Sequence, residues 1–321
     1  MSDFWRAVAA EDKSKIALIG ECMIEIVRSP EGTTSFGYAG DTLNTAVYLA
    51  RCGLQPSYVT ALGIDPFSDG MLDFWCGEHI ATDLVVRRAD KLPGLYMVTT
   101  DMKGERSFHY WRNDSAARTL FVLPEDDAHL AKLAAFPLIY WSGISLAILA
   151  TQARQKLLDT LAKLRHAGHG VIFDCNYRPR LWPTIEATRD AYSAAFAHAD
   201  VVFTSLEDET PIFGGDMAAL VERHKNAGVR ESVIKTSPPG CRVVIHGSDA
   251  PVTTEAPPVA HVVDTTAAGD SFAAAYIAAR LKGYDARDAA MAGHRLAGAV
   301  VGVRGATLPR DRMPDLHPTQ T

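Results

Sequence analysis

The amino-acid sequence predicts an α/β protein built on a doubly wound, mostly parallel sheet, and two observations carry that expectation. From residue 138 onward short apolar runs alternate with helix-forming stretches: strands at 138–143, 170–174, 200–205, 232–236 and 242–246, with helices at 152–167, 187–198 and 216–227. Such alternation builds βαβ units whose strands, covered on both faces, read as continuous apolar runs. Ligands of such sheets bind outside the carboxyl ends of the strands. The second observation is bulk: 321 residues, 47% of them hydrophobic, can bury one large core.

A formal charge of −6 and a pI near 6.0 speak against nucleic acid or an acidic membrane surface as a partner. Cys22, Cys52, Cys76, Cys175 and Cys241 form no CxxC pair and no metal pattern with histidine, as expected of reduced, buried thiols in a cytoplasmic protein. Residues 1–14 lack the apolar core of a signal peptide and are expected to form a frayed extension. Residues 133–153 carry no charge and are long enough to suggest a membrane span. Pro137, Ser142, Gly143, Ser145, Thr151 and Gln152 interrupt them, so a buried strand, a loop and a helix start are expected instead.

In chain order, KIALIGE (15–21) is the first central strand, and residues 21–37, with the turn formers SPEG at 29–32, read as a hairpin. A helix over 42–51 runs from Asp41, a natural N-cap, to a stop at Gly53. Asn44 then lies in its first turns, where propensity gives no reason for it. Strand 58–63 and helix 66–78 follow. A second hairpin pairs 95–101 with 106–112 across a turn at 102–105, and alternation puts Phe108, Tyr110 and Arg112 on one face. That face is either a solvated hairpin edge or a grip for a small anion, with Arg112 making paired hydrogen bonds and Tyr110 offering a hydroxyl.

Late in the chain, DTTAAGDSF (264–272) places a small-residue turn directly before a helix at 271–282, which Gly283 stops; a last helix covers 286–301. Ala267, Ala268 and Gly269 leave the first backbone N–H groups open to an anion. Asp270 is either an ordinary first-turn acid or a base placed to take a proton from a hydroxyl attacking that anion. The second alternative is the logic of phosphoryl transfer.

This stretch resembles the DTTGAGDSF signature of the PfkB (ribokinase-like) carbohydrate kinases, with Ala267 replacing the first glycine. The resemblance implies that the amides of Ala267, Ala268 and Gly269 hold the transferring phosphoryl group and that Asp270 is the catalytic base. AGDTLNTAVYLAR (39–51) is similar to the family's GG-x-x-x-N motif in its 2-keto-3-deoxygluconate kinase form, implying sugar contacts from Gly40, Asp41 and Asn44. For Asp41, helix cap and sugar contact both stand. The hairpins resemble the family's β lid, formed by about 22–37 and 95–118, which makes Tyr96, Tyr110 and Arg112 substrate contacts and gives the closed site a way to exclude water. DCNYRPRLW (174–182) is similar to DPNxRxxLW and makes Arg178 a second clamp on a carboxylate. Two arginines suit an acidic sugar and not a neutral one.

On the nucleotide side this sequence departs from the family. Its NxxE motif falls on Ser205 and Asp208, beside Glu207 and Glu209, so the acid that serves Mg²⁺ through water is open, with Asp208 at the matching place. Its K-x-G-x-x-G-C turn falls on 235–241, where Ser237 and Pro238 differ and only Lys235 and Gly240 carry over. Those two, Ser205, Ala268 and Gly269 are the implied ATP contacts. His294 and Ala297, on the helix that borders adenine in the family, are either structural or ligand contacts.

The combined expectation is a single ribokinase-like domain over 1–321 that uses ATP and Mg²⁺ to phosphorylate the terminal hydroxyl of a sugar acid, 2-keto-3-deoxygluconate giving its 6-phosphate. A monovalent-cation requirement stays open, and the resemblance adds a homo-oligomer formed through the lid. One alternative is a neutral-sugar, fructokinase-like kinase, in which Arg112 would be idle; another is a non-catalytic sugar or nucleotide sensor, which would release no ADP. There is no GxxxxGK[ST] loop and no GxGxxG after the first strand, which removes the main support for the rival nucleotide folds.

Overall fold

In the computed structural model, which describes residues 3–10, 14–29, 32–100, 106–248 and 250–318, a short helix α1 (Asp3–Ala10) precedes the first strand, β1 (Lys15–Ile19). The chain then leaves for a hairpin, β2 (Met23–Arg28) and β3 (Thr34–Ala39), and returns through α2 (Asp41–Arg51), β4 (Gln55–Gly63), α3 (Pro66–Gly77) and β5 (Val85–Arg88). A second excursion, β6 (Gly94–Thr100) and β7 (Arg106–Trp111), leads to α4 (Asp127–Lys132), β8 (Leu138–Ser142), α5 (Gly143–Ile148), α6 (Thr151–His166) and β9 (Gly170–Asp174). The remainder is α7 (Ile185–Ala197), β10 (Val201–Ser205), α8 (Leu206–Phe213), α9 (Met217–Asn226), β11 (Glu231–Thr236), β12 (Gly240–Ile245), β13 (Val252–Glu255), α10 (Ala268–Leu281) and α11 (Ala286–Val300).

Nine strands make the main sheet in the order β13-β12-β11-β10-β9-β8-β1-β4-β5, parallel except where β12 pairs antiparallel with both neighbours. The expected doubly wound fold is therefore present. Along β1, Ile16 and Leu18 pack into one layer with α1, α2, α10 and α11, while Ala17 and Ile19 pack into the other with α5, α6 and α7. Because chain order runs away from β1 in both directions, a crevice opens at the carboxyl ends of β1 and β8. Across it lies a four-stranded sheet, β3-β2-β6-β7, in which Glu25 pairs with Tyr96 and Tyr96 with Tyr110. Both expected hairpins are thus found, joined by the parallel pair β2–β6; the 102–105 turn and part of the 29–32 turn lie outside the described residues.

Three expectations need correction. The N-terminal segment is not a frayed extension, because residues 3–10 form α1 and bury Trp5 and Val8. The Trp5 indole N–H donates to Glu231 (3.1 Å), which also accepts from the Tyr276 hydroxyl and from Arg280 (2.6 Å each), and the Arg280 guanidinium lies 5.6 Å from the Trp5 ring centre. Two apolar residues three apart in so short a stretch are too weak a periodic signal to announce this. Of the cysteines, Cys76 is exposed, because it follows the inward-facing Trp75 on α3; the other four are buried. The short α8, β5 and β13 were not anticipated, and α8 carries an internal Pro211 that masks it. Among the described residues no helix is long and apolar enough to cross a membrane, and residues 138–166 fold into β8, α5 and α6, with the short α5, capped by the Ser142 hydroxyl, standing where a loop was expected.

Replacing Trp5 with alanine removes a fully buried ring and leaves Glu231 one donor short. The expected cost is about 3–5 kcal/mol of unfolding free energy, measured by denaturant titration; an unchanged midpoint would mean that α1 does not dock in solution.

Candidate active site

Helix α10 is buried along residues 271–281, and its alanines let neighbouring helices approach closely. Its N-cap, Ala267, adopts the left-handed conformation (φ 60°, ψ 11°), which costs a non-glycine residue roughly 1 kcal/mol. No side chain caps the amides that follow. With the helix dipole they form a ready anion site.

Asp270 stands in this first turn. The Asn44 amide donates to its Oδ2 at 2.8 Å, so the unexplained polar residue of α2 has its partner here. Burial first, then the Asp41 carboxylate, push the Asp270 carboxyl up to about 8, with Asp174 adding to them and the Asn44 amide and Lys235 ammonium opposing. A carboxyl poised near the working pH is what a general base requires.

Lys235, next to last in β11, lies against the same turn: a Cβ placed on Gly269 would lie 3.3 Å from its Nζ, and the Asp174 Oδ1 is 3.8 Å away. Burial pulls the ammonium down, but Asp174, Asp208 and Asp270 outweigh it and hold Lys235 above its usual range. Asp174, pushed up by burial against the pull of Lys235, accepts from the Tyr140 hydroxyl (3.2 Å), while its Oδ1 has no hydrogen-bond partner among the described residues.

Gly40, and not Asp41, is the N-cap of α2. A Cβ on Gly40 would lie 2.1 Å from the main-chain oxygen of Glu21, so glycine alone fits this crossing. Asp41 takes the first helical position and turns its Oδ2 to the Asn176 amide (2.9 Å), which excludes the capping role and leaves the carboxylate facing the site. Ser205 caps α8: its hydroxyl accepts from the Asp208 N–H (3.1 Å) and donates to the Asp208 Oδ2 (2.8 Å), while the Asp208 Oδ1 accepts from the Tyr177 N–H (3.1 Å). Glu209 is buried against Arg223, Thr204 and His224, and Glu207 is exposed, so Asp208 is the acid of the three that acts on Asp174 and Lys235.

In the second sheet Tyr96 donates to Glu25, and the Tyr96 and Tyr110 rings lie 5.8 Å apart. A cavity of about 740 Å³ separates this sheet, at Glu25, Val27 and Val98, from the loops carrying Asp264, Thr266 and Gly305. Arg112 is buried in an ion pair with Glu21, whereas Arg178 is exposed and donates to the Tyr177 carbonyl (3.0 Å). Gly240 opens β12 beside Thr254. His294 is buried, hydrogen-bonded to the Thr254 hydroxyl (3.0 Å) and packed 5.1 Å from the Phe272 ring; burial pushes it down to about 4, leaving it neutral. Those contacts favour its structural alternative. Asp174, Asn176 and Glu21 were given no role in the sequence reading, although Asp174 ends β9 and Asn176 and Glu21 lie two residues beyond the carboxyl ends of β9 and β1.

The folded Asp270 carboxyl keeps its proton up to about 8, whereas an unfolded one releases it near 3.8. Between those values the folded state binds more protons, so Asp270 lowers stability progressively as pH rises. Asp270→Asn, which cannot ionise, is therefore expected to gain in melting temperature over the parent as pH goes from about 5 to about 8. A constant difference across that range would mean an ordinary carboxyl.

The pfkB family carbohydrate kinase pattern matches residues 13–313. The chain is 47% identical to the 2-dehydro-3-deoxygluconokinase of Escherichia coli (strain K12) over 94% of its own length and 99% of the relative's. It is 48% identical to the protein of the same name from Dickeya dadantii (strain 3937), over 93% and 98%. Among solved structures, the PfkB protein from Polaromonas sp. JS666 superposes with a TM-score of 0.80 at 26% identity, covering 93% of this chain and 98% of that one. A family match across nearly the whole chain, on a fold that brings Asp270, Asn44 and Lys235 to one helix N-terminus, makes this protein a member of the pfkB family of carbohydrate kinases.

Proposed function

We propose that the protein is an ATP-dependent sugar-acid kinase that phosphorylates the terminal hydroxyl of 2-keto-3-deoxygluconate. The observation that carries this is the Asp270 carboxyl, titrating at about 8 in the first turn of α10 beside uncapped amides and the Lys235 ammonium. The substrate hydroxyl oxygen bonds to the γ-phosphorus as the bond from phosphorus to the β–γ bridging oxygen breaks; the hydroxyl proton passes to Asp270 and ADP leaves. The amides of residues 267–270 and Lys235 offset the charge on the transferring group. When bound with the nucleotide, Mg²⁺ neutralises phosphate charge, and because it keeps most of its waters it needs only one or two carboxylates. Asp208, through water, and Asp174, whose Oδ1 has no hydrogen-bond partner among the described residues and lies 3.8 Å from the Lys235 Nζ, fit that need.

Arg112 and Arg178 grip the substrate carboxylate, and Gly40, Asp41, Asn44, Tyr96 and Tyr110 meet its remaining oxygens. Ser205, Lys235 and Gly240 border ATP. The names of the relatives favour the acidic sugar over a neutral one. The four-stranded sheet serves as a lid of one kinase domain. Its outward Trp111, 60% exposed, supports pairing with a second copy there, and the free thiols support a cytoplasmic protein.

ADP release from ATP and Mg²⁺ is expected with 2-keto-3-deoxygluconate or its galactonate epimer, and not with fructose, ribose or adenosine. Turnover on fructose or ribose would discard the sugar-acid assignment, and silence with every acceptor would discard the kinase. Asp270→Asn is expected to lose at least about a hundredfold in kcat; a smaller loss would remove Asp270 as the base.

A further inference from the structure

We infer that Glu21 is the positioning residue for the Arg112 clamp: it orients the guanidinium and ties together the two points where the lid joins the body, and so selects for an acidic sugar without touching it. This rests on the reading of Arg112 as the carboxylate clamp.

Glu21 lies between the end of β1 and the start of β2, where the chain enters the lid, and it is 2% exposed. One carboxylate oxygen accepts from the Arg112 Nη2 and the other from the Ser115 hydroxyl. Arg112 follows directly on β7, the last lid strand, and Ser115 begins the return to the body: its N–H donates to the Arg112 carbonyl (3.3 Å), and Ala116 donates to Leu92 (2.8 Å). A single buried carboxylate therefore spans the entry to the lid and the exit from it. Gly94, at the start of β6, keeps the space for this: a Cβ there would come 2.8 Å from the Glu21 Oε1 and 3.2 Å from the Arg112 Cβ.

Charge supplies the second strand of the inference. A guanidinium 6% exposed needs a counter-charge, and Glu21 provides it. The pairing is nevertheless incomplete, since the buried Arg112 Nε has no hydrogen-bond partner among the described residues. Buried donors are normally satisfied, and an exception calls for a cause. Held by Glu21 through Nη2, Arg112 makes no second hydrogen bond to protein among the described residues, and an incoming carboxylate, unlike a neutral ligand, brings the charge to match it.

The test is a double-mutant cycle on steady-state kinetics with 2-keto-3-deoxygluconate and ATP, using Glu21→Gln, Arg112→Met and the two combined. Glu21→Gln is expected to raise the KM for the sugar acid by about tenfold, the effect of one weakened hydrogen bond to a charged group, with kcat far less affected and the KM for ATP unchanged. In the Arg112→Met background the same change is expected to add nothing, because Glu21 then has no clamp to set. A silent Glu21→Gln, or one whose effect multiplies independently with that of Arg112→Met, would overturn the role of Glu21 alone. An Arg112→Met enzyme with unchanged sugar-acid KM would overturn the clamp reading, and this inference with it. Ser115→Ala removes the other partner of Glu21 without altering a charge and is expected to raise the same KM by less. If Glu21→Gln does not fold, the cycle of Ser115→Ala with Arg112→Met decides by the same criterion.

Discussion

The burial of α10 is the constraint on which the rest depends. A helix covered from Ser271 to Leu281 cannot slide or tilt without breaking contacts with α2 and α11, so the position of its first turn is set by close packing. Its far end is fixed by the Arg280–Glu231 pair, both about 1% exposed, which Tyr276 and Trp5 complete. Removing either charge would strand the other in the interior, which is why such pairs hold geometry even where their net contribution to stability is small. The turn at Ala267–Asp270 thus faces the crevice in one arrangement, and its dipoles need not reorganise when charge develops there.

Around that turn the electrostatics are built from opposed groups. Burial, with the Asp41 and Asp174 carboxylates adding to it, raises Asp270 to about 8, and Lys235 keeps the cluster from excluding an anion. Asn44 is a neutral donor to Asp270 and fixes its carboxyl without supplying the charge that would return it to the usual carboxylate range. On the lid side the order is inverted. There a buried cation, Arg112, is balanced by one carboxylate, and its Nε has no hydrogen-bond partner among the described residues.

Much of this was legible in the sequence wherever a local pattern coincided with a local structure. The alternation after residue 138 gave the sheet, and the small residues before an alanine-rich helix marked a turn whose following amides no side chain caps. What stayed hidden depends on partners far apart in the chain. Asp41 reads as a cap because caps are local, but it meets Asn176 across 135 residues; Glu21 meets Arg112 across 91, and Trp5 meets Glu231 across 226. No hydrophobic period encodes such meetings. Nor does spacing say which of three adjacent carboxyls the fold leaves to act on Asp174 and Lys235; Glu209 is buried and Glu207 turned outward.

Burial, with the Asp41 carboxylate beside it, sets the protonation of Asp270 against the opposing pull of the Lys235 ammonium. A pH titration of this carboxyl by infrared difference spectroscopy, comparing the parent protein with Asp270→Asn in the absence of ligands, tests this directly. A carboxyl band that is lost in the variant and bleaches in the parent with a midpoint near 8 is the expected result. A midpoint in the ordinary carboxylate range, about 4, would contradict it.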